Sequence, residues 1–393
     1  MKKTPSMQMF IDAATRLKLH PYMMPSANLS TAYTNPDGIA RAPCQYCGYC
    51  ERFGCEYGAK GDPVVTVIPV AKKTGKFEIR THSQVRRILH TGNKATGVLY
   101  TDVTTGEDIE QPADIVVLTS YVFNNVRLLL MSQLGKPYDA STGQGVIGKN
   151  YAYQVTKGNA VGYFENKQFN NFAGAGALGT TVDDYNGDNF DHSNVNFIHG
   201  GMISLTPTGY RPIQNNPVPP GTPAWGKDFK ASSIKYANRA LTVGSQGSCM
   251  SYKHHYLDLD PTYKDAFGDP LLRITFDFED QDRELAKFLA QKSADIVKEM
   301  GANNINQMKD LGPYDITTYQ STHNTGGVIM GSDPATSAVN TYLQMWDVDN
   351  LFVIGASAFP HNSGYNPTGT VGALAYRAAE GILAYRKKGG LLA

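Results

Sequence analysis

Residues 8–17, QMFIDAATRL, put apolar side chains at the three- and four-residue steps of a short amphipathic helix. The chain then becomes extended and turn-rich through HPYMMPSANLSTAYTNPDGIARAP. From Gly75 to Ser120 apolar and polar residues alternate, with turn signals at TGNKATG and TTGED. That pattern predicts a small β-meander ending in a buried strand over 115–118. YVFNNVRLLLMSQLG returns to helical spacing at Phe123, Val126, Leu129 and Leu130, and it stops at Gly135.

Between about Tyr151 and Tyr319 the chain turns polar and rich in Tyr and Asn, with strand patterns in VNFIHGGMISL and PLLRITFDF. One helix interrupts it, QDRELAKFLAQKSADIVKEMGA, with Leu285, Phe288, Leu289, Ile296 and Met300 on one face. This region reads as a second domain dominated by an antiparallel sheet. The last segment carries a Gly-rich stretch at 321–331, a buried strand in NLFVIGAS and a final helix from about Thr370 to Arg386. The expectation is a mixed α/β (α+β) protein.

Composition narrows the class of partner. The 393 residues hold 36 Lys+Arg against 35 Asp+Glu, a net charge of +1, and no basic stripe tracks along the chain. Nucleic acid is therefore excluded as the expected partner. No apolar run reaches the length of a bilayer crossing, and MKKTPSMQMFIDAATRL lacks the uninterrupted apolar core of a signal peptide. The 39 glycines and 23 tyrosines favour turns and β-structure over a helical bundle.

Four of the five cysteines, Cys44, Cys47, Cys50 and Cys55, fall within twelve positions as C-x2-C-x2-C-x4-C. Two disulfides are geometrically open to them, but spacing this tight favours a metal site served by thiolates from one loop. Zinc sites usually pair two knuckles across a longer insert. Three cysteines at x2 spacing plus a fourth are closer to iron–sulfur ligation. Cys249 stands alone and reads as a buried small residue.

Among nine histidines, His323 in STHNTGGVIMGSDP is set apart by the Gly-Gly pair that follows it, read as allowing close approach of the backbone to a flat ligand. The other eight, His254 and His255 included, read as hydrogen-bonded packing residues. Further on, NLFVIGASAFPHNSGYNPTGTVGALAYR runs strand, small-residue turn, loop and helix. NPTGT opens that helix, where backbone N–H groups favour a pyrophosphate or an anionic flavin edge. Asn366 is a candidate helix cap on residue type alone.

HNTGGVIMGSDP, DNLFVIGASAFP and GYNPTGT together resemble the C-terminal signature of the glucose-methanol-choline (GMC) oxidoreductases, flavoproteins that oxidise alcohols by hydride transfer to FAD. CQYCGYCERFGCEYGAKGDP, PSANLSTAYTNPDG and GQGVIGKNYAYQ are similar to the flavoprotein subunits of gluconate 2-dehydrogenases and of their fructose, sorbitol and glucose dehydrogenase relatives, which carry a 3Fe-4S cluster. The resemblance implies His323 as the base that removes the hydroxyl proton and Asn366 as its hydrogen-bonding partner on the alcohol oxygen. It implies Gly355, Ala356 and Ser357 near the FAD pyrophosphate, and Asn366, Pro367 and Thr368 facing the isoalloxazine ring. Cys44, Cys47, Cys50 and Cys55 match the cluster loop, where three thiolates suffice.

On that footing, 1–70 is a linking segment with the cysteine loop, 71–150 and 320–393 are parts of an FAD-binding domain, and 151–319 is a substrate-binding domain. The implied activity is oxidation of a sugar or sugar acid, D-gluconate to 2-dehydro-D-gluconate first. Electrons would leave through the cluster to a multihaem cytochrome c subunit, with a small assembly subunit as second partner, on the periplasmic side of the inner membrane. Another polyol dehydrogenase or an alcohol oxidase of the same family is the alternative, and an inactive metal-binding remnant is the non-enzymatic one.

Two departures from the family stand out. No G-x-G-x-x-G turn for the FAD pyrophosphate occurs before the cysteines, so about 150–200 residues of the family pattern are expected to be missing. A truncated gene model, a separately encoded N-terminal half and a decaying gene are all open explanations. Strands 115–118 and 351–354 are expected to lack neighbours as a result. In addition, VVLTSYVFNN stands where many family members have a Gly-containing AAGAF, which questions one FAD contact.

Overall fold

The computed structural model describes every residue except 49, 51–52, 175, 208–215, 316–321 and 393. The boundary expected at 319/320 and the first position of the Gly-rich stretch lie outside the described residues. The helices are Pro5–Arg16 (α1), Val67–Lys73 (α2), Tyr121–Met131 (α3), Gly226–Tyr236 (α4), Asp280–Glu299 (α5) and Thr368–Lys388 (α6). No helix among the described residues is long and apolar enough to cross a membrane.

Two compact units share the chain in alternation: residues 1–79, 155–247 and 280–312 form one, and 80–154, 248–279 and 313–393 the other. The first unit is built on a six-stranded sheet in the order Tyr22–Met23, Thr180–Val182, Gly201–Leu205, Ala240–Gly247, Ala160–Tyr163, Asn304–Gln307. Every neighbouring pair is antiparallel. α5 buries Leu285, Leu289, Ile296 and Val297, and α1 buries Met7, Phe10, Ala13 and Ala14, in one core with Phe164, Ile203 and Val243 from the sheet side. Complete burial of side chains the size of Met7 and Phe10 stabilises by about 1.5–3 kcal/mol each. The sheet is approached so closely that a Cβ on Gly162 would lie 2.5 Å from Val297 Cγ1.

α1 begins three residues earlier than the apolar pattern predicts. Thr4 accepts a hydrogen bond from Met7 N at 3.3 Å and Pro5 occupies the first turn, so the cap, rather than the apolar stripe, sets the start.

The second unit holds the predicted meander as the antiparallel strands Ser83–Thr91, Lys94–Asp102 and Asp108–Pro112. Arg86 Nε and Arg87 Nη2 clamp the buried Asp269 at 2.7 and 2.8 Å, tying the first of these strands to the hairpin Tyr256–Lys264/Pro270–Thr275. Burial would raise the Asp269 carboxyl, but the two guanidiniums outweigh it and hold the group at about 2.

Strands Val116–Leu118 and Leu351–Val353 pair with each other, parallel and in register from Leu351↔Val116 to Val353↔Leu118. The expectation that they lack neighbours is corrected here: each supplies the other's ladder, because α3 and the 354–358 turn bring the two ends of the unit's chain together. Val117 nonetheless stays 44% exposed. α6 follows with Ala378 and Gly381 as its buried residues, leaving Tyr376 and Leu383 on the surface.

Candidate active site

His323 is placed by a two-residue antiparallel pair in which Asn324 faces Tyr153 and Thr325 faces Ala152. One step further along that register sets Gln154 against His323, and His323 Nδ1 lies 2.6 Å from Gln154 Oε1. The His323 backbone is left-handed, φ +64°, which a residue with a Cβ adopts only under constraint. Part of the constraint is visible. Asn362 Nδ2 donates to the His323 carbonyl at 2.5 Å, and Asn362 is itself held by a double backbone bridge to Cys249 at 3.0 and 3.1 Å. Cys249 is fully buried, as expected of it. Burial lowers the pKa of the half-buried His323 ring below the ordinary imidazole value, so the ring is neutral at pH 7.

The Gly-Gly pair after His323 has a different purpose from the one the sequence implied. A Cβ on Gly326 would meet the Asn150 carbonyl oxygen at 1.9 Å, and one on Gly327 would meet Val126 Cγ2 at 2.5 Å. Both glycines have positive φ and are buried, so they pack the His323 segment against protein and not against a ligand.

Gly355 is the opposite case. Its φ is +125° and an added Cβ would meet nothing within 4 Å, so the backbone of the small-residue turn faces open space. Gly326 N, Val328 N and Met330 N donate to the carbonyls of Ala356, Ser357 and Ala358, stitching this turn to the His323 segment. Ser357 is completely buried and receives Asn125 Nδ2 at 2.9 Å, so its side chain faces inward while the backbone of Gly355 and Ala356 remains partly accessible.

Asn366 is exposed and lies just before α6, but the helix cap is Pro367, with no side-chain capping bond. The expectation of Asn366 as the cap is corrected accordingly: the cap position is Pro367, whose side chain offers no acceptor to the first-turn N–H groups of exposed Thr368, Gly369 and Thr370. A 21-residue helix thus presents its positive end uncapped.

Tyr121, the first residue of α3 in the departing VVLTSYVFNN segment, has φ +75°. It keeps a left-handed conformation that glycine would adopt without strain. Its hydroxyl takes a hydrogen bond from Asn324 Nδ2, whose Oδ1 receives Tyr151 OH at 2.7 Å. Tyr151, Phe276, Phe278 and Tyr314 continue this as an edge-to-face aromatic cluster, in which burial pushes the Tyr314 phenol up to about 12. Gln154, Asn362 and these aromatics carried no readable motif, since strand register brings Gln154 to His323, the bridge to Cys249 places Asn362, and the aromatics join through Asn324.

In the other unit the cysteine loop packs close enough that a Cβ on Gly48 would lie 2.8 Å from Phe172 Cα. All four cysteines are free thiols. Cys44 Sγ accepts from Tyr46 N at 3.4 Å and Cys50 Sγ from Asn28 Nδ2 at 3.6 Å. Burial raises the Cys44 thiol pKa; at Cys55 burial pushes the same way, yet backbone N–H groups of residues 57–60 lower it. Four sulfurs around one zinc sit about 3.8 Å apart, from a zinc–sulfur distance of about 2.3 Å. Among the described residues no three of these sulfurs fall within 4.8 Å of one another.

Within that limit lie His254, His255 and Glu279. Glu279 Oε1 is 2.6 Å from His254 Nε2 and 3.2 Å from the buried His255 Nε2, so one carboxylate oxygen lies within hydrogen-bond reach of both rings. Burial, then the neighbouring His254, lower the His255 pKa to about 4.

Residues 253–375 match the family described as GMC oxidoreductase. The gluconate 2-dehydrogenase flavoprotein of Pantoea cypripedii is 45% identical over 385 residues, 97% of this chain and 62% of that relative. A 2-methyl-1,2-propanediol dehydrogenase of Mycolicibacterium austroafricanum is 30% identical over 84% of this chain and 59% of its own length. The chain thus spans about three-fifths of the length of these relatives. Pyridoxine 4-oxidase from Mesorbium loti has the same fold, with a TM-score of 0.58 at 15% identity over 97% of this chain and 70% of that one. Residues 253–375 thus form a GMC oxidoreductase C-terminal domain, and nearly the whole chain is similar to a gluconate 2-dehydrogenase flavoprotein.

Proposed function

We propose that the protein containing this chain is an FAD-dependent dehydrogenase that oxidises a secondary alcohol of a sugar acid, D-gluconate to 2-dehydro-D-gluconate. The observation that carries the reading is the neutral, half-buried His323 imidazole, held within the segment that is stitched to the open Gly355–Ala356 turn. The residues present fit the cofactor. The accessible backbone at Gly355 and Ala356 and the uncapped first turn of α6, Thr368 onwards, offer N–H donors to anionic groups, and Asn366 and Pro367 stand at the same helix end. Bound FAD would supply the hydride acceptor. His323 would take the hydroxyl proton, and Asn366, exposed beside the helix start, would orient the alcohol oxygen.

The substrate assignment rests on the Pantoea cypripedii relative. Replacing His323 by Ala should slow anaerobic reduction of bound flavin by D-gluconate about 10²–10⁴-fold. An unchanged rate would remove His323 from the mechanism.

Cys44, Cys47, Cys50 and Cys55 are proposed to hold an iron–sulfur cluster of the 3Fe-4S type. The support is chemical: free thiols, N–H donors on the sulfurs of Cys44 and Cys50, backbone amides around Cys55, and the C-x2-C-x2-C spacing. A cluster gives electrons an exit to a cytochrome partner, in line with a subunit that works with a multihaem cytochrome c and a small assembly subunit on the periplasmic face of the inner membrane. The rival within the family is an oxidase, the class of the C-glycoside 3-oxidase of Arthrobacter globiformis, 24% identical over 80% of this chain. Turnover with oxygen as sole acceptor would favour that rival.

A further inference from the structure

We propose that Gln154 is a positioning residue that locks His323 with its proton on Nδ1, so that Nε2 is the nitrogen that receives the substrate proton. The inference deepens the reading of His323 as the base and rests on it for the chemical step alone. Gln154 is fully buried, and its amide has three partners. Its Nε2 donates to the carbonyls of Ser363 at 2.5 Å and Tyr365 at 2.9 Å, and its Oε1 faces His323 Nδ1 at 2.6 Å.

The two backbone carbonyls decide the amide's orientation. Carbonyl oxygens only accept, so the NH₂ group must face them, and a flipped amide would set oxygen against two oxygens in a buried place. With both N–H groups used, Gln154 can only accept at Oε1. A ring nitrogen 2.6 Å from that oxygen must then carry the hydrogen, and a neutral imidazole protonated on Nδ1 keeps its lone pair on Nε2. Free imidazole side chains lack such a partner and exchange between the two forms. The strand register supplies the placement, since Gln154 lies opposite His323 in the pair that matches Tyr153 with Asn324.

The same amide has a second consequence. Ser363 and Tyr365 belong to the loop that runs directly into Asn366, so one side chain holds both the ring of His323 and the segment carrying its proposed partner. The hydroxyl proton would pass to Nε2, the ring becoming a cation whose Nδ1–H already points at the Gln154 carbonyl. No further proton has to move.

The test separates the tautomer from the reaction. ¹⁵N-histidine-labelled protein is examined by long-range ¹H–¹⁵N correlation, which reports which ring nitrogen bears hydrogen, with His323 assigned from the His323→Ala spectrum. The expected result is a protonated Nδ1 and a bare Nε2 in the wild type, lost in Gln154→Leu. Gln154→Glu, its carboxyl protonated toward the Ser363 and Tyr365 carbonyls, keeps an acceptor oxygen on the ring side and should retain the Nδ1–H form. Gln154→Leu should slow flavin reduction about 10²-fold or more with KM within a few-fold, as expected for a wrong tautomer.

A wild-type His323 with hydrogen on Nε2, or a Gln154→Leu protein that retains the Nδ1–H form, would overturn the proposal. If Gln154→Leu fails to fold, the wild-type spectrum and Gln154→Glu decide. An Nδ1–H signature that responds to these variants in a protein that oxidises no alcohol would leave the positioning role standing and defeat the dehydrogenase reading instead.

Discussion

His323 and Tyr121 each hold a left-handed backbone that glycine would take without strain, and both are linked to Asn324, His323 by sequence and Tyr121 by a hydrogen bond. Strain of this kind, about 1–2 kcal/mol per residue, persists only where neighbours overdetermine it. Asn362, Gln154 and the Gly326–Gly327 packing are those neighbours here. His255 shows how another single residue shapes the stability of its unit. Its folded pKa of about 4 lies below the ordinary 6.5, so both states are neutral above pH 6.5. Between pH 6.5 and 4 the unfolded chain binds a proton that the folded one refuses. Stability therefore falls as pH falls through this window, by on the order of 3 kcal/mol in total. Asp269 works in a separate range: its carboxyl, held at about 2, contributes stability that is lost only below its ordinary value of 3.8. Urea unfolding of His255→Gln should show a flatter dependence between pH 7 and pH 4.5 than wild type. An equal slope would mean that other groups, His323 among them, carry the acid sensitivity. The proposed base, His323, was set apart in the sequence by its neighbours HNTGG, but the reason for those glycines was not legible. A sequence shows that a backbone position is permissive, not whether a ligand or Val126 fills the space beside it.

Elements whose stabilising contacts are local were readable. α3 and α5 follow their apolar spacing, and the meander over 83–112 follows its alternation and turn residues. The parallel pairing of Val116–Leu118 with Leu351–Val353 was not readable, because the partners are more than two hundred residues apart and each is three residues long. The pair Ala152–Tyr153/Asn324–Thr325 is shorter still, yet it places Gln154 against His323. The cysteine loop is the intermediate case. Its spacing announces thiolate chemistry, while the N–H donors that distinguish Cys44, Cys50 and Cys55 come from Tyr46, Asn28 and residues 57–60. If the loop holds a three-iron cluster, serine at three of the four cysteines should abolish the broad visible absorption of iron–sulfur and serine at the fourth should leave it. Loss of absorption in all four variants would point instead to a cluster with four protein ligands.

At the scale of the molecule, the alternation of the chain between two compact units was beyond the reach of periodicity, which sees neither 1–79 joining 155–247 nor 248–279 joining 80–154. The exposed Val117, Tyr376 and Leu383 belong to the unit that carries Gly355 and α6. The chain spans 62% of its Pantoea cypripedii relative, and the proposed flavin contacts draw on Gly355 to Thr368 alone. The central claim, a flavin dehydrogenase wired to a cluster, is tested most directly by an anaerobic visible absorption spectrum. The chain would be purified alone and again after co-expression with the product of the gene just upstream, or with the part of the relative's sequence that it does not span. The account predicts two flavin bands over a broad brown background once the remaining part is supplied, with the flavin bands bleached by D-gluconate. A brown background without flavin in both preparations would contradict it and leave a cluster-binding protein with no dehydrogenase activity.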